Sequence, residues 1–309
     1  MHWIKQGFIY GPDGSLSWAR HTALTPTPLL KDEETIRVYA GFRDETGISR
    51  IGYVDLDSYN PKRIKKVSQE PVLDLGRNGA FDDNGVILGD IIRIGSDIRM
   101  YYVGFQLVGK AKFLAFTGLA ISRDNGDSFV RHSEAPVLDR SNNGLYIRAI
   151  HSVMQTSDRF LIWYACGNGW EDINGVSYPQ YNIRYLESPD GIEFNGEGQL
   201  CVDVEGSEYR IGRPRVFMYQ DHFIMNYTRG TIQGDYLAGH AESADGINWI
   251  RKDAELGIGL SPKGWDSRHL CYPAVLSCCG RTYMFYNGND MGKDGFGYAI
   301  LATDGLSCA

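Results

Sequence analysis

The stretch Ile183–Gly191 (IRYLESPDG) decides the fold, because related stretches recur along the chain at nearly constant spacing. Each copy is a short apolar strand, and most copies close on Ser or Thr, any residue, Asp and Gly, or a relative of that pattern. Asp-Gly favours a tight hairpin turn, since glycine adopts a positive φ without steric cost. The five copies are Ile51–Asp57, Gly118–Asp124, Ile183–Gly191, Ala238–Gly246 and Gly297–Gly305.

An apolar strand with an aromatic end precedes each copy. Its markers are Tyr39, Tyr102, Tyr164, Tyr227 and Tyr286, at intervals of 63, 62, 63 and 59 residues. Five units of about 62 residues account for the 309 residues of the chain. Each unit supplies about four short antiparallel strands, which is typical of one blade of a β-propeller.

The repeat therefore predicts an all-β fold: a five-bladed β-propeller with four-stranded antiparallel blades, forming a single domain over residues 1–309. No stretch sustains a helical period. The last unit stops after Asp304-Gly305 and lacks its outermost strand. A strand near Trp3–Tyr10 is expected to complete that blade, because an open sheet edge invites aggregation.

Composition excludes several classes of function. The net charge of −7 gives no support to nucleic-acid binding, and no apolar run is long enough for a membrane span. The N-terminal residues 1–11 lack the pattern of a signal peptide, so a cytoplasmic location is expected. The six cysteines form no C-x-x-C pair and are expected to be free thiols. We expect no metal and no cofactor.

The segments that open the five units carry an unusual number of basic residues. They are Trp18–Thr22, Phe81–Gly85, Ile147–His151, Gly212–Arg215 and Asp266–Leu270. Four of the five contain Arg together with a second Arg or a His, and the second opening contains paired carboxylates instead. The candidate residues are Arg20, His21, Asp82, Asp83, Arg148, His151, Arg213, Arg215, Asp266 and Arg268.

Strand openings of a propeller point toward its axis, so these side chains are expected to converge in one cavity. Like charges that converge repel one another unless an anion binds between them. Arginine suits the bidentate binding of carboxylate or phosphate. The alternative is structural: the arginines pair with Asp82, Asp83, Asp266 and Glu208 and tie the blades together.

Aromatic side chains suited to stacking on sugar rings are also present. They are Trp18, Phe105, Trp170, Tyr178 and Trp265. Trp170 and Trp265 are expected at the rim of the cavity, and packing within the blades is the alternative for each aromatic residue.

Several motifs resemble the glycosidase clan of glycoside hydrolase families 43, 32, 68, 117 and 130. They are Ser49–Gly52, Phe81–Val86, Ala241–Gly246, Tyr272–Val275 and Met284–Gly288. The resemblance spans about Trp18 to Gly305. It implies that Asp83 corresponds to the catalytic aspartate of family 130, the mannoside phosphorylases. It also implies that Tyr272 and Asn287 contribute to the site from the fifth blade.

The chain departs from the clan where families 43 and 32 carry other catalytic carboxylates. Arg20-His21-Thr22 stands in place of the aspartate of the first blade, and Gly212 in place of the glutamate of the fourth. Family 130 instead uses one aspartate and basic residues that hold phosphate. Arg43-Asp44 resembles a pair in clan relatives that accompany surface-polysaccharide synthesis.

Three functions remain open. The first is an enzyme acting on a glycosidic bond of an anionic or phosphate-linked sugar, hydrolase-like or phosphorylase-like, with Asp83 as general acid or base. The second is a non-catalytic propeller that binds a charged glycan or a nucleotide sugar. The third is a scaffold for protein partners, which would not need arginines concentrated at the axis.

Overall fold

The computed structural model describes residues 1–302, and almost all of its regular structure is β-strand. The expected all-β class is confirmed. Within residues 1–302 the helical segments are two short turns, Asp253–Glu255 and Asn289–Gly292. The turn expected at Asp304-Gly305 lies outside the described residues.

Hydrogen-bonded pairing arranges the strands in antiparallel units of four strands each. Unit one contains β2 (His21–Asp32), β3 (Thr35–Arg43), β4 (Ser49–Asp57) and β5 (Ile64–Val67). Unit two contains β6 (Val86–Ile94), β7 (Asp97–Gln106), β8 (Leu114–Ser122) and β9 (Val130–Arg131). Unit three contains β10 (Ile147–Gln155), β11 (Phe160–Ile173), β12 (Val176–Ser188) and β13 (Gln199–Val202).

Unit four contains β14 (Glu208–Tyr219), β15 (His222–Thr231), β16 (Tyr236–Ser243) and β17 (Ile250–Arg251). Unit five contains β18 (Cys271–Cys278), β19 (Arg281–Asn287), β20 (Phe296–Leu301) and the N-terminal β1 (Trp3–Tyr10). β1 pairs antiparallel with β20, at the place where the sequence predicts an added strand. Short parallel pairs, such as Tyr181 with Arg210, link neighbouring units.

The apolar cores lie between units. One cluster joins units one and two, and others join two to three, three to four, and four to five. A further cluster joins unit five to unit one and includes Phe285, Tyr298, Val38 and Phe42. Each unit therefore packs both of its faces against its neighbours.

An aromatic residue in the second strand of units one, two and three donates a hydrogen bond to the glycine turn of the next unit. The hydroxyl of Tyr39 donates to the carbonyl of Gly126 at 3.0 Å, and that of Tyr101 donates to Gly191 at 2.8 Å. The indole of Trp163 donates to the Gly246 carbonyl at 2.8 Å. The second strands of units one to three thus contact the glycine turns of units two to four. The marker tyrosines lie inside their strands rather than at the ends, since β3 continues from Tyr39 to Arg43.

No helix in residues 1–302 is both long and apolar enough to cross a membrane. The five cysteines of this range are free thiols, as expected, and Cys308 lies outside it.

Candidate functional site

The first strand of every unit contains a β-bulge at an equivalent place. The register shifts lie between Leu24 and Thr27, Leu88 and Asp90, Ile150 and Ser152, Gly212 and Arg215, and Cys271 and Ala274. A bulge leaves a residue unpaired and redirects its side chain. The residues within the shifts include Thr25, Gly89, His151, Arg213 and Tyr272.

Backbone conformation fits this arrangement. Thr25, Arg213 and Tyr272 have positive φ values of 55°, 57° and 55°. Each precedes a proline, which cannot donate to the strand ladder and is tolerated at bulges. At Gly89 a Cβ atom would lie 2.2 Å from the Ile150 carbonyl oxygen, so only glycine fits there.

The bulges open onto a cavity of about 340 Å³ to which all five units contribute. We call it the five-unit cavity. Four bulge residues line it, namely Thr25, His151, Arg213 and Tyr272. The remaining lining residues are Arg43, Ile87, Val103, Phe105, Lys112, Phe113, Ala115, Ile147, Ala149, Ala165, Tyr178, Pro179, Tyr181, Arg210 and Met291.

Arg210 lies among aromatic rings. Its guanidinium carbon is 4.5 Å from the ring centre of Tyr236, 4.9 Å from that of Tyr209 and 5.9 Å from that of Tyr178. Burial acts to lower the pKa of Arg210, but the surrounding phenols outweigh burial and raise it above its usual value. Its buried Nε has no hydrogen-bond partner within residues 1–302. The rings therefore hold a charged guanidinium beside the cavity by cation–π contacts.

Arg213 is fixed by neutral groups. Its guanidinium donates to the Leu88 carbonyl, to Thr27 Oγ1 at 3.2 Å and to His151 Nδ1 at 2.9 Å. Burial, with a contribution from Arg215, lowers the pKa of Arg213 to about 9, so it stays protonated at neutral pH. The site therefore contains a buried cation held without a carboxylate in contact.

His151 is a neutral hydrogen-bonding group. Burial, with the charges of Arg213 and Arg215, holds its pKa well below the usual value of 6.5. Because Arg213 has only N–H donors, His151 Nδ1 must accept, and the proton of the neutral ring is assigned to Nε2. His151 thus has an N–H available for an acceptor in the cavity that it lines.

The lining has a one-sided charge. It contains the four cations Arg43, Lys112, Arg210 and Arg213 and no Asp or Glu side chain. None of the four forms an ion pair with a carboxylate in the part of the chain that the structure describes. The same range holds no group of three or more His, Cys, Asp or Glu side chains arranged for a metal ion.

The expected convergence of the basic openings is realised only in part. Of the predicted site residues, Arg43, His151, Arg213 and Tyr272 line the five-unit cavity, as do the predicted stacking residues Phe105 and Tyr178. The other predicted residues lie elsewhere, and their contacts explain why.

Asp82 and Asp266 are buried in equivalent structural clusters. Asp82 accepts from the Tyr102 hydroxyl at 3.1 Å and pairs with Arg131 at 2.8 Å. Asp266 accepts from the Tyr286 hydroxyl at 3.0 Å and pairs with Lys5 at 2.6 Å. For these two residues the structural alternative is the one found, although their cationic partners are not the arginines of the openings.

Arg148 and Arg215 form hydrogen bonds and an ion pair with groups outside the lining of the cavity. Strand alternation turns Arg148 away from the cavity that Ile147 and Ala149 line. Its guanidinium donates to the carbonyls of Asp139 and Gly196 at 2.9 and 2.8 Å. Arg215 pairs with the buried Asp90 and donates to the His151 carbonyl at 3.0 Å.

Arg20 and Arg268 are exposed. Arg20 donates to the Gly14 carbonyl, and Arg268 pairs with Asp290 at 2.8 Å. His21 Nδ1 lies 2.8 Å from the hydroxyl of Thr22. Asp44 pairs with Arg50 at 2.8 Å and accepts backbone hydrogen bonds that close its own turn.

Three further predicted residues lie outside the lining. Trp170 packs edge to face behind Phe113, with ring centres 5.1 Å apart. Trp265 stacks on Tyr286 at 5.1 Å. The Asn287 side chain accepts from the Thr25 amide at 2.8 Å and donates to the Ala23 carbonyl at 2.8 Å, which joins unit five to the bulge of unit one.

Asp83, the predicted catalytic residue, is not among the lining residues. It is half-buried ahead of β6, and its Oδ2 accepts from the Gly79 amide at 2.8 Å. This carboxylate closes a turn instead of entering the cavity.

Sequence reasoning missed Thr25, Lys112, Phe113, Tyr181 and Arg210, which line the cavity. One signal was available: a proline follows Thr25, Arg213 and Tyr272, and this recurrence marks the bulge. Arg210 offers no comparable signal, because its surroundings come from three units.

Comparison with known proteins gives the following relatives. No known protein-family profile matches the chain. The Mycobacterium tuberculosis (strain H37Rv) protein "Uncharacterized protein Rv1502" is 33% identical over 303 residues, covering 97% of this chain and 99% of that protein. A protein of M. tuberculosis strain CDC 1551, "Uncharacterized protein MT1551", matches to the same extent.

Solved structures share the fold. A "Glycoside hydrolase" superposes with a TM-score of 0.73 at 17% identity, covering 99% of this chain and 94% of that one. A thermostable family-43 glycoside hydrolase gives 0.69 at 16% identity, covering 94% of each chain. A family 130 structure, from work on glycoside hydrolases that target β-1,2-mannosidic linkages in Candida mannan, gives 0.69 at 14%, covering 99% and 95%. The relationship to the glycosidase clan is confirmed at the level of the fold.

Proposed function

The chain belongs to the same family as the Mycobacterium tuberculosis protein Rv1502 and has the fold of solved glycoside hydrolases. We propose that it is a carbohydrate-active protein that binds an anionic sugar in the five-unit cavity. The main support for this proposal is the lining of the cavity, which combines four cations with aromatic rings and contains no carboxylate.

The architecture that we propose is a single-domain, five-bladed β-propeller over residues 1–309. The five four-stranded units would be its blades, and the five-unit cavity would lie on its axis. The closed series of apolar clusters supports this arrangement, since the last cluster joins unit five to unit one. The contact of Asn287 with Ala23 and Thr25 also joins these two units.

The charge of the cavity supports an anionic ligand. Buried charges are costly unless they are paired, and Arg210 and Arg213 have no carboxylate partner among residues 1–302. A phosphate or carboxylate would supply that partner through charge-assisted hydrogen bonds. The rings of Tyr178 and Phe105 offer apolar faces to a sugar ring.

Isothermal titration calorimetry tests the proposal with matched ligands. The anionic set is glucose 1-phosphate, mannose 1-phosphate, glucuronic acid and UDP-glucose, and the neutral set is glucose and mannose. At least one anionic ligand is expected to bind ten-fold or more tightly than its neutral counterpart. The proposal is overturned if no anionic ligand of the set binds more tightly than the neutral sugars.

The same titration with variants locates the anion. Arg210→Met removes the charge but retains a long side chain, and it is expected to abolish the preference for the anionic ligand. Arg268→Met makes the same change at an exposed residue outside the cavity and should keep the preference. An Arg210→Met protein that is folded and still prefers the anion would contradict the assignment.

Catalysis at Asp83 is the second candidate function. The resemblance to family 130 favours it, as does the position of Asp83 ahead of β6, whose Ile87 lines the cavity. Turnover of 4-nitrophenyl glycosides, with and without inorganic phosphate, is the assay. Turnover that Asp83→Asn abolishes without loss of folding supports an enzyme. No turnover leaves binding as the function, and equal turnover in the variant excludes Asp83 as the catalytic residue.

A further inference from the structure

The five-unit cavity has two unlike sides. Units one and four contribute the guanidinium groups of Arg43, Arg210 and Arg213. Units two and three contribute a run of apolar side chains, which we call the apolar side: Ile87, Val103, Phe105, Phe113, Ala115, Ile147, Ala149 and Ala165. Unit three also contributes polar groups outside this run, on His151, Tyr178 and Tyr181. Lys112 is the cation that these two units add to the described lining, and its Nζ donates one hydrogen bond to the Ser177 carbonyl at 3.2 Å.

The apolar side is a built surface. Val103, Ala115, Ile147, Ala149 and Ala165 form one buried cluster, and Ile87, Phe105 and Phe113 pack against it. The rings of Phe105 and Phe113 meet edge to face at 5.3 Å, and Trp170 packs behind Phe113. These contacts hold the apolar side chains in place.

The apolar side also offers few hydrogen-bonding groups. The backbone of β7 is paired with β6 and with β8, and that of β10 with β11, except at the bulges of Gly89 and His151. A sugar hydroxyl that faced this side would lose its water without gaining a partner, which is unfavourable. A methyl or acyl group would instead bury apolar surface there.

We propose that the ligand is an acidic sugar that carries an apolar substituent, an acyl or deoxy group, with its anionic group toward Arg210 and Arg213 and its substituent toward units two and three. This inference rests on the proposed function and adds the substrate class. The cationic and apolar sides require a ligand with both properties, which a simple hydroxylated sugar phosphate lacks.

Two matched ligand pairs test the substituent by calorimetry. N-acetylglucosamine 1-phosphate and 6-deoxyglucose 1-phosphate are each compared with glucose 1-phosphate, which has the same charge. At least one substituted sugar is expected to bind about ten-fold more tightly, the size of effect that a small group has in an apolar pocket.

Two threonine variants locate the contact. Ile87→Thr places a hydroxyl on the apolar side and is expected to reduce the ten-fold preference to about two-fold or less. Ile92→Thr makes the same change further along β6, where the half-buried side chain packs against the core between units two and three. The Ile92 variant should keep the preference, so a general loss of stability is separated from a lost contact.

The outcomes separate this inference from the proposed function. If glucose 1-phosphate binds more tightly than glucose but neither substituted sugar improves on it, the substituent is wrong and the anionic site stands. If no anionic ligand binds more tightly than the neutral sugars, the proposed function fails as well. A preference that survives in Ile87→Thr would place the substituent elsewhere and overturn the inference.

Discussion

The role of a charged residue in this protein depends more on the groups that it contacts than on its position in the repeat. Arg213 and Arg215 are two residues apart in β14. Arg215 pairs with Asp90, whereas the groups that Arg213 contacts within residues 1–302 are neutral. The Asp90 carboxylate balances the charge of Arg215. Arg213 has no such partner within residues 1–302, so its positive charge is available to a ligand in the cavity. His151 lies between the two arginines and stays neutral, because burial disfavours its charged form and the two guanidinium charges would repel it.

The depressed pKa of His151 predicts a loss of stability in acid. Below about pH 6.5 the unfolded chain protonates this histidine while the folded protein does not, so protons favour unfolding. The free energy of unfolding should fall as the pH is lowered from about 7.5 to about 5.5. Urea denaturation of His151→Gln should show a smaller fall, whereas the exposed control His222→Gln should follow the wild type. Parallel pH dependence in all three proteins would contradict the prediction.

Turns between the third and fourth strands of units are organised by a repeated set of side chains. In unit three, Asp190 Oδ1 accepts from the amides of Ile192 and Glu193 at 2.8 and 2.9 Å. Ser188 Oγ accepts from the Gly191 amide at 2.9 Å. Backbone hydrogen bonds lower the pKa of the Asp190 carboxyl. The turn is therefore held by local bonds, and through Gly191 it contacts Tyr101 of unit two.

Removing the carboxylate of this turn should destabilise the protein. Asp190→Ala loses two charge-assisted hydrogen bonds and is expected to cost about 1–3 kcal/mol. Glu193→Ala changes an exposed residue of the same turn and should cost less than about 0.5 kcal/mol. Urea denaturation at neutral pH measures both. Equal losses in the two variants would show that the turn bonds contribute nothing measurable.

The whole molecule depends on contacts between the two ends of the described chain. β1 pairs with β20, and its Trp3 is 4% exposed within the cluster that joins units four and five. Lys5 of the same strand pairs with Asp266. The N-terminal strand thus completes unit five and covers an edge that would otherwise be open.

Two substitutions in β1 compare its two faces. Trp3→Ala removes a buried ring and is expected to lower the free energy of unfolding by about 3–5 kcal/mol. Ile4→Ala changes the neighbouring side chain, which is 38% exposed, and should cost less than about 1 kcal/mol. Denaturant unfolding followed by fluorescence and circular dichroism gives both values. A small cost for Trp3→Ala would mean that β1 adds little to the stability of unit five.

The all-β class, the recurrence of strands and the glycine turns followed from local patterns, because strand alternation and turn chemistry act over a few neighbouring residues. Ser188, Asp190 and Gly191 bond to one another within four positions, so their role was visible in the sequence. Enrichment of arginine and histidine at the strand openings was visible too, and it identified His151 and Arg213.

Which of these side chains enter the cavity was decided by the tertiary structure. Asp82 meets Arg131 from 49 positions away and Asp266 meets Lys5 from 261. Tyr209 is the chain neighbour of Arg210, whereas Tyr178 and Tyr272 approach it only when units three and five pack against unit four. Charge pairing and burial depend on such contacts between units, and no periodicity of the chain encodes them.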